Sequence, residues 1–94
     1  MARAPRPYAQ PAFHVFDQDG YESARCVSVQ QAVKAVIELG DGATIKHMRI
    51  GLRVWTEGAQ TIGDRSGVRA ADDPHGAACF ITYNVSHFLS VAPD

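Results

Sequence analysis

The sequence SVQQAVKAVIELG, residues 28–40, predicts a helix, and this helix organises the rest of the chain around it. Ser28 and Gln31 form the S-x-x-Q pattern of a capping box, in which the serine side chain accepts a hydrogen bond from a first-turn amide. Gly40 is a typical helix terminator, so we expect a helix of about eleven residues that ends near Leu39. Its apolar face is formed by Val29, Val33, Val36 and Ile37.

A β-hairpin is predicted before the helix. Residues 13–16 form a β-rich run, and residues 21–27 resume as a second strand after Asp17-Gln18-Asp19-Gly20. Asp-Gly is a preferred turn sequence because it tolerates the positive φ angles of tight hairpins. We expect the two strands to lie in the sheet that the helix covers.

Strands alone are predicted after the helix. Residues 43–50 and 52–56 indicate either two strands or one long strand with a bulge at Gly51, and residues 59–62 indicate a short one. A polar loop is expected over residues 63–76. The alternation in residues 77–85 predicts a further strand, and residues 87–91 either continue the sheet or pack across its edge.

The predicted order, β-β-α-β-β-β, is typical of an α+β fold: an antiparallel sheet of about five strands with one helix packed on one face. The prolines at positions 5, 7 and 11 predict a flexible N-terminal tail over residues 1–11. Residues 12–94 are expected to form a single domain, since 94 residues suffice for one domain and not for two.

Composition gives no sign of a membrane or nucleic-acid protein. Ten acidic and nine basic residues leave a net charge of −1, and both Arg3 and Arg6 belong to the tail, so the predicted domain is mildly acidic. No stretch approaches the ~20 apolar residues that span a bilayer, and the first residues lack the apolar run of a signal peptide. The sequence therefore predicts a cytoplasmic protein.

No catalytic or metal-binding pattern is present in the sequence. The four histidines, at positions 14, 47, 75 and 87, lack the spacing of zinc ligands, and Cys26 and Cys79 lack CxxC spacing. We therefore predict no cofactor, no metal and two buried thiols. The alternative is a small enzyme or ligand-binding subunit, in which Cys79 is a nucleophile served by His75 beside Asp72 and Asp73.

One helix cannot cover both faces of a five-stranded sheet, so we expect an uncovered face that binds a partner. Arginine and tryptophan are enriched at protein interface hot spots, which favours a protein partner. Nucleic acid is the alternative, because a basic strand with an aromatic residue can bind a single strand. The predicted partner-binding residues are Lys46, His47, Arg49, Arg53 and Trp55.

The passage ARCVSVQQA, residues 24–32, resembles the strand-to-helix passage in one anti-CRISPR family that inhibits type I surveillance complexes. The small size and α+β organisation of the chain are also similar to those of anti-CRISPR proteins from phages and mobile elements. The resemblance implies a stoichiometric inhibitor that binds Cas proteins and blocks target-DNA binding or nuclease recruitment without turnover. It also implies that the protein acts in the cytoplasm of a bacterial host cell, and it assigns no site residues.

Overall fold

The computed structural model describes residues 12–91, which form an α+β structure of six strands and two helices. The predicted tail, residues 1–11, lies outside the described residues. The elements in chain order are β1 (Phe13–Phe16), β2 (Glu22–Cys26), α1 (Val29–Leu39), β3 (Thr44–His47), β4 (Leu52–Thr56), β5 (Gln60–Ile62), β6 (Arg65–Val68) and α2 (Pro74–Val91).

The main sheet has four antiparallel strands in the order β2-β1-β3-β4. Strands β5 and β6 pair only with each other, so the predicted sheet of about five strands is divided into a four-stranded sheet and a separate hairpin. β3 and β4 are two strands joined by a turn over residues 48–51. Gly51 lies in that turn with φ +71°, rather than at a bulge within one long strand.

The first hairpin and α1 form as the sequence predicts. Asp17 Oδ1 accepts hydrogen bonds from the amides of Asp19 and Tyr21, both at 2.9 Å, which fixes the turn between β1 and β2. Ser28 has extended backbone angles, and its Oγ accepts from the Gln31 amide at 3.2 Å, as expected of an N-cap. At the other end of α1, the Gly40 amide donates to the carbonyl of Val36 at 2.9 Å.

The prediction of a single helix is wrong, because residues 77–85 belong to helix α2 and not to a strand. Asp73 caps this helix through its Oδ1, which accepts from the Gly76 amide at 3.0 Å, and Pro74 occupies the first helical position, where proline is favoured. The buried residues of α2 recur every three or four positions, as in a helix that packs on a core: Ala77, Ala78, Ile81 and Val85.

Both helices pack on the same face of the main sheet. α1 lies over β1, β2 and β3, while α2 lies beside α1 and over β4. The largest fully buried side chains between the layers are Trp55, Ile45, Ile81, Val15 and Val36. No helix within residues 12–91 has the length and apolar character required to traverse a bilayer.

A buried carboxylate joins the sheet to the segment before α2. Glu57 is 2% exposed, and its Oε1 accepts from Trp55 Nε1 at 2.9 Å and from the Ala70 amide at 2.7 Å. Its Oε2 accepts from the Ala71 amide at 3.2 Å. The indole and the Ala70 amide are buried donors that would otherwise have no acceptor, so Glu57 has a structural function.

Candidate functional site

A bulge in β4 decides which of the predicted binding residues reach the surface. Ile45 pairs with Trp55 and Lys46 pairs with Arg53, so one extra residue, Val54, stands between the two pairs on β4. An extra residue reverses the alternation of side chains along a strand. Trp55 therefore faces the helices, although it stands two positions after Arg53, which faces away from them.

The five predicted partner-binding residues accordingly divide between core and surface. Trp55 is 0% exposed and makes an edge-to-face contact with Phe80 of α2, with ring centroids 5.8 Å apart. His47 is 5% exposed. The expectation that these two side chains lie on the uncovered face is wrong. Arg53 is exposed, Lys46 is half-buried on that face, and Arg49 is exposed in the β3–β4 turn.

The face of the main sheet opposite the helices, called the open face below, carries a row of basic residues across all four strands. His14 on β1 pairs with Arg25 on β2 and with Lys46 on β3, and Lys46 pairs with Arg53 on β4. Neighbouring strands are ~4.8 Å apart, so the row Arg25–His14–Lys46–Arg53 extends about 14 Å. Within residues 12–91, neither helix covers this face.

Acidic charge compensates only one end of this row. Glu22 forms an ion pair with Arg25, and its Oε1 lies 3.7 Å from His14 Nδ1. The hydrogen bond from Arg25 lowers the pKa of Glu22, and Arg25 and His14 stabilise the same carboxylate electrostatically. At the other end, neither Lys46 nor Arg53 forms an ion pair with any group in the described part of the chain.

A shallow groove of about 330 Å³ lies beside these two unpaired cations. Phe16 of β1 and Thr44 of β3 contribute an aromatic ring and a hydroxyl group, and the β3–β4 hairpin supplies the rest of the lining. The complete lining is Phe16, Thr44, Lys46, Gly51, Leu52 and Arg53. The groove therefore combines positive charge with apolar surface, which suits a ligand that is both acidic and apolar.

His47 is a buried imidazole on the helix side of the sheet. Its ring meets that of Phe13 edge-on, with centroids 5.0 Å apart, and its Nδ1 has no hydrogen-bond partner among the described residues. Burial lowers the pKa of His47, and the nearby charge of Arg49 lowers it further. His47 therefore lies in the layer between sheet and helices and not on the open face.

The alternative site predicted around Cys79 is partly assembled. His75 and Cys79 are one turn apart on α2, with His75 Nε2 3.6 Å from Cys79 Sγ. Cys79 is exposed and Cys26 is buried, so the prediction of two buried thiols is wrong for Cys79. The helix turns the Cys79 side chain outward, whereas the predicted strand would have placed it in the core.

The two aspartates add little to this pair. Asp73 caps α2, and Asp72 is exposed in the turn before it. Residues 12–91 contain no group of three or more histidine, cysteine or acidic side chains that could hold a metal ion. A groove of about 310 Å³ adjoins the thiol and is lined by Gln30, His75, Ala78, Cys79, Thr82 and Tyr83.

Sequence reasoning missed His14 and Arg25 as members of the basic row. The hairpin turn at residues 17–20 predicts regular pairing in which His14 lies opposite Ala24. A bulge shifts the register between Phe16 and Val15, so that His14 pairs with Arg25 instead, and the turn alone does not indicate this. The pairing of β1 with β3 joins segments separated by α1, and no local pattern indicates it.

No protein-family model, curated protein or solved structure matches this chain.

Proposed function

We propose that this protein is a non-enzymatic binding module that recognises a protein partner through the open face. The observation that carries the proposal is the pair Lys46 and Arg53. These cations lie opposite each other on neighbouring strands without an ion-pair partner within residues 12–91. Like charges placed directly opposite each other destabilise a sheet, so a partner that supplies negative charge would relieve their repulsion.

A protein partner fits this surface better than a nucleic acid. Surfaces that bind single strands stack successive bases on exposed aromatic rings. Within residues 12–91, the aromatic rings at the paired positions of the open face are those of Phe16 and His14, and both are half-buried. Trp55, which the sequence offered both as a protein hot spot and as a stacking ring for nucleic acid, is in the core and supports neither partner.

Inhibition of a CRISPR surveillance complex is the most specific form of this function. Its support is the resemblance of residues 24–32 to an anti-CRISPR family that acts on type I complexes. In this form the open face binds a Cas protein and blocks target-DNA binding or nuclease recruitment stoichiometrically, without catalysis.

The general proposal is tested by affinity purification from the native host with wild-type protein and two variants of equal charge change. Lys46→Glu/Arg53→Glu reverses two charges on the open face, and Lys34→Glu/Arg65→Glu reverses two exposed charges on α1 and β6. We expect the first variant to lose the bound protein and the control to keep it. Retention of the same partner by both folded variants would place recognition elsewhere.

The specific form is tested by titrating purified type I surveillance complexes with the protein and measuring target-DNA binding and nuclease recruitment. We expect one of these activities to disappear near one equivalent, and Lys46→Glu/Arg53→Glu to be inactive. Full activity of the complexes in the presence of excess protein would reject the anti-CRISPR form and leave the general binding proposal to the affinity experiment.

A thiol-dependent activity is the second candidate function, and the 3.6 Å separation of His75 Nε2 and Cys79 Sγ supports it. In this arrangement the imidazole can accept the thiol proton while the sulfur attacks an electrophile. Replacing Cys79 by serine distinguishes the candidates. Loss of the biological activity in a folded Cys79→Ser variant would favour the enzyme, and unchanged activity would favour the binding module.

A further inference from the structure

The two halves of the basic row differ in their charge balance. Glu22 compensates Arg25 and His14, whereas Lys46 and Arg53 face each other without a carboxylate in the described part of the chain. Ammonium and guanidinium groups are donors only, and each forms its strongest hydrogen bonds with anionic oxygens. The unoccupied donors at this end of the row indicate where an anionic group binds.

The groove beside the two cations indicates which other chemical groups the ligand must have besides the anionic one. Phe16 and Leu52 supply apolar surface, and Thr44 contributes a hydroxyl group to the lining. A small inorganic anion would leave the apolar part of this groove uncovered. A peptide segment in which acidic and apolar side chains are neighbours would pair with the two cations and also cover the apolar surface of the groove.

The N-terminal tail does not have this chemistry. Residues 1–11 contain Arg3 and Arg6 and no acidic residue, so the tail would increase the positive charge at the groove. A nucleic acid would supply phosphates, but within residues 12–91 the paired positions of the open face offer it only the half-buried rings of Phe16 and His14 for stacking. Charge complementarity therefore favours an acidic polypeptide.

This inference rests on the proposed binding function. We infer that the open face binds an acidic–apolar peptide segment of its partner. In that complex a carboxylate bridges Lys46 and Arg53, and an apolar side chain packs against Phe16. The segment crosses the strands along the basic row. A row of about 14 Å matches four or five residues of extended chain, at ~3.3 Å each.

The inference is tested by fluorescence anisotropy with three labelled probes of similar length. The first is a peptide that alternates glutamate and leucine, the second has glutamine in place of each glutamate, and the third is oligodeoxythymidine. We expect the acidic peptide to bind and the glutamine peptide to bind more weakly by a factor on the order of ten, since charge-assisted hydrogen bonds are lost.

Matched variants locate the site. Lys46→Gln/Arg53→Gln should weaken binding of the acidic peptide by about tenfold. Lys34→Gln/Arg65→Gln removes the same charge elsewhere and should leave the affinity for this peptide unchanged. Circular dichroism and thermal melts establish that both variants are folded. Equal weakening by the two variants would mean non-specific attraction and would overturn the inference.

Three other outcomes also overturn it: equal binding of the acidic and glutamine peptides, tighter binding of oligodeoxythymidine, and self-association in sedimentation that Lys46→Gln/Arg53→Gln abolishes. The second would identify a nucleic acid as the occupant, and the third a second copy of the chain. The proposed function stands apart from these results. If a host protein still binds through Lys46 and Arg53 while the acidic peptide does not, the function holds and the inference fails.

Discussion

Replacement of Glu57 should be among the most destabilising single changes in the domain. Its carboxylate accepts hydrogen bonds from Trp55 Nε1 at 2.9 Å and from the amides of Ala70 and Ala71 at 2.7 and 3.2 Å. Glu57→Ala leaves the buried indole and Ala70 donors without an acceptor. Each unsatisfied buried donor costs about 1–3 kcal/mol, so for two donors we expect the free energy of unfolding to fall by ~2–6 kcal/mol.

Glu57→Gln provides a graded version of the same change. The amide oxygen can still accept from Trp55 and Ala70, but the amide nitrogen then faces the donor of Ala71. We expect a loss of about 1.5–3 kcal/mol, which corresponds to one charge-assisted hydrogen bond. The graded pair separates hydrogen bonding from simple loss of side-chain volume.

Urea unfolding monitored by tryptophan fluorescence measures both changes. Trp55 is the single tryptophan of the chain and is fully buried, so its emission reports unfolding directly. The exposed Glu38 of α1 supplies the control, and Glu38→Ala should change stability by less than ~0.5 kcal/mol. A Glu57→Ala variant as stable as this control would refute the structural function assigned to Glu57.

Three further predictions concern the cap, a buried imidazole and the thiols. Ser28→Ala should cost about 1 kcal/mol of stability in a thermal melt, because the first turn of α1 loses its side-chain acceptor; an unchanged melt would contradict the cap. The pKa of His47 is lowered from 6.5 in the folded state, so the unfolded chain takes up the proton first, and the free energy of unfolding should fall as the pH drops through 6.5. In urea titrations at several pH values, the free energy of unfolding of His47→Leu should depend less on pH than that of the wild type. An identical pH dependence would exclude His47 as the cause. A thiol reagent should modify Cys79 rapidly in the native protein and Cys26 only after unfolding, since Cys79 is exposed and burial raises the pKa of Cys26; equal rates in the native protein would contradict this assignment.

Local sequence signals determined the first half of the fold. Asp17 and Gly20 specify the β1–β2 turn, and Ser28, Gln31 and Gly40 specify both ends of α1, through contacts between residues only two to four positions apart. Such contacts form wherever the local residues permit them, so sequence patterns predict them well.

Tertiary packing determines that the α2 segment is a helix and not a strand, although its sequence contains two helix-start signals. Asp73 and Pro74 are favourable at the N-cap and first helical positions, yet β-branched and aromatic residues such as Ile81 and Tyr83 also favour a strand. The short apolar run is compatible with either period. Contact with α1 and with β4 selects the helix, because it buries Ala77, Ala78, Ile81 and Val85 together.

The open face shows most clearly what the sequence determined and what only the tertiary structure decided. The sequence alone indicated a cluster of basic residues that includes Lys46 and Arg53, and a sheet face without a helix over it. Simple alternation, however, placed His47, Arg53 and Trp55 together on that face. The bulge at Val54 and the pairing of β1 with β3 depend on contacts between distant segments. These contacts place Trp55 in the core and bring His14 and Arg25 into the basic row, since strand register is set by which partner strand buries which face.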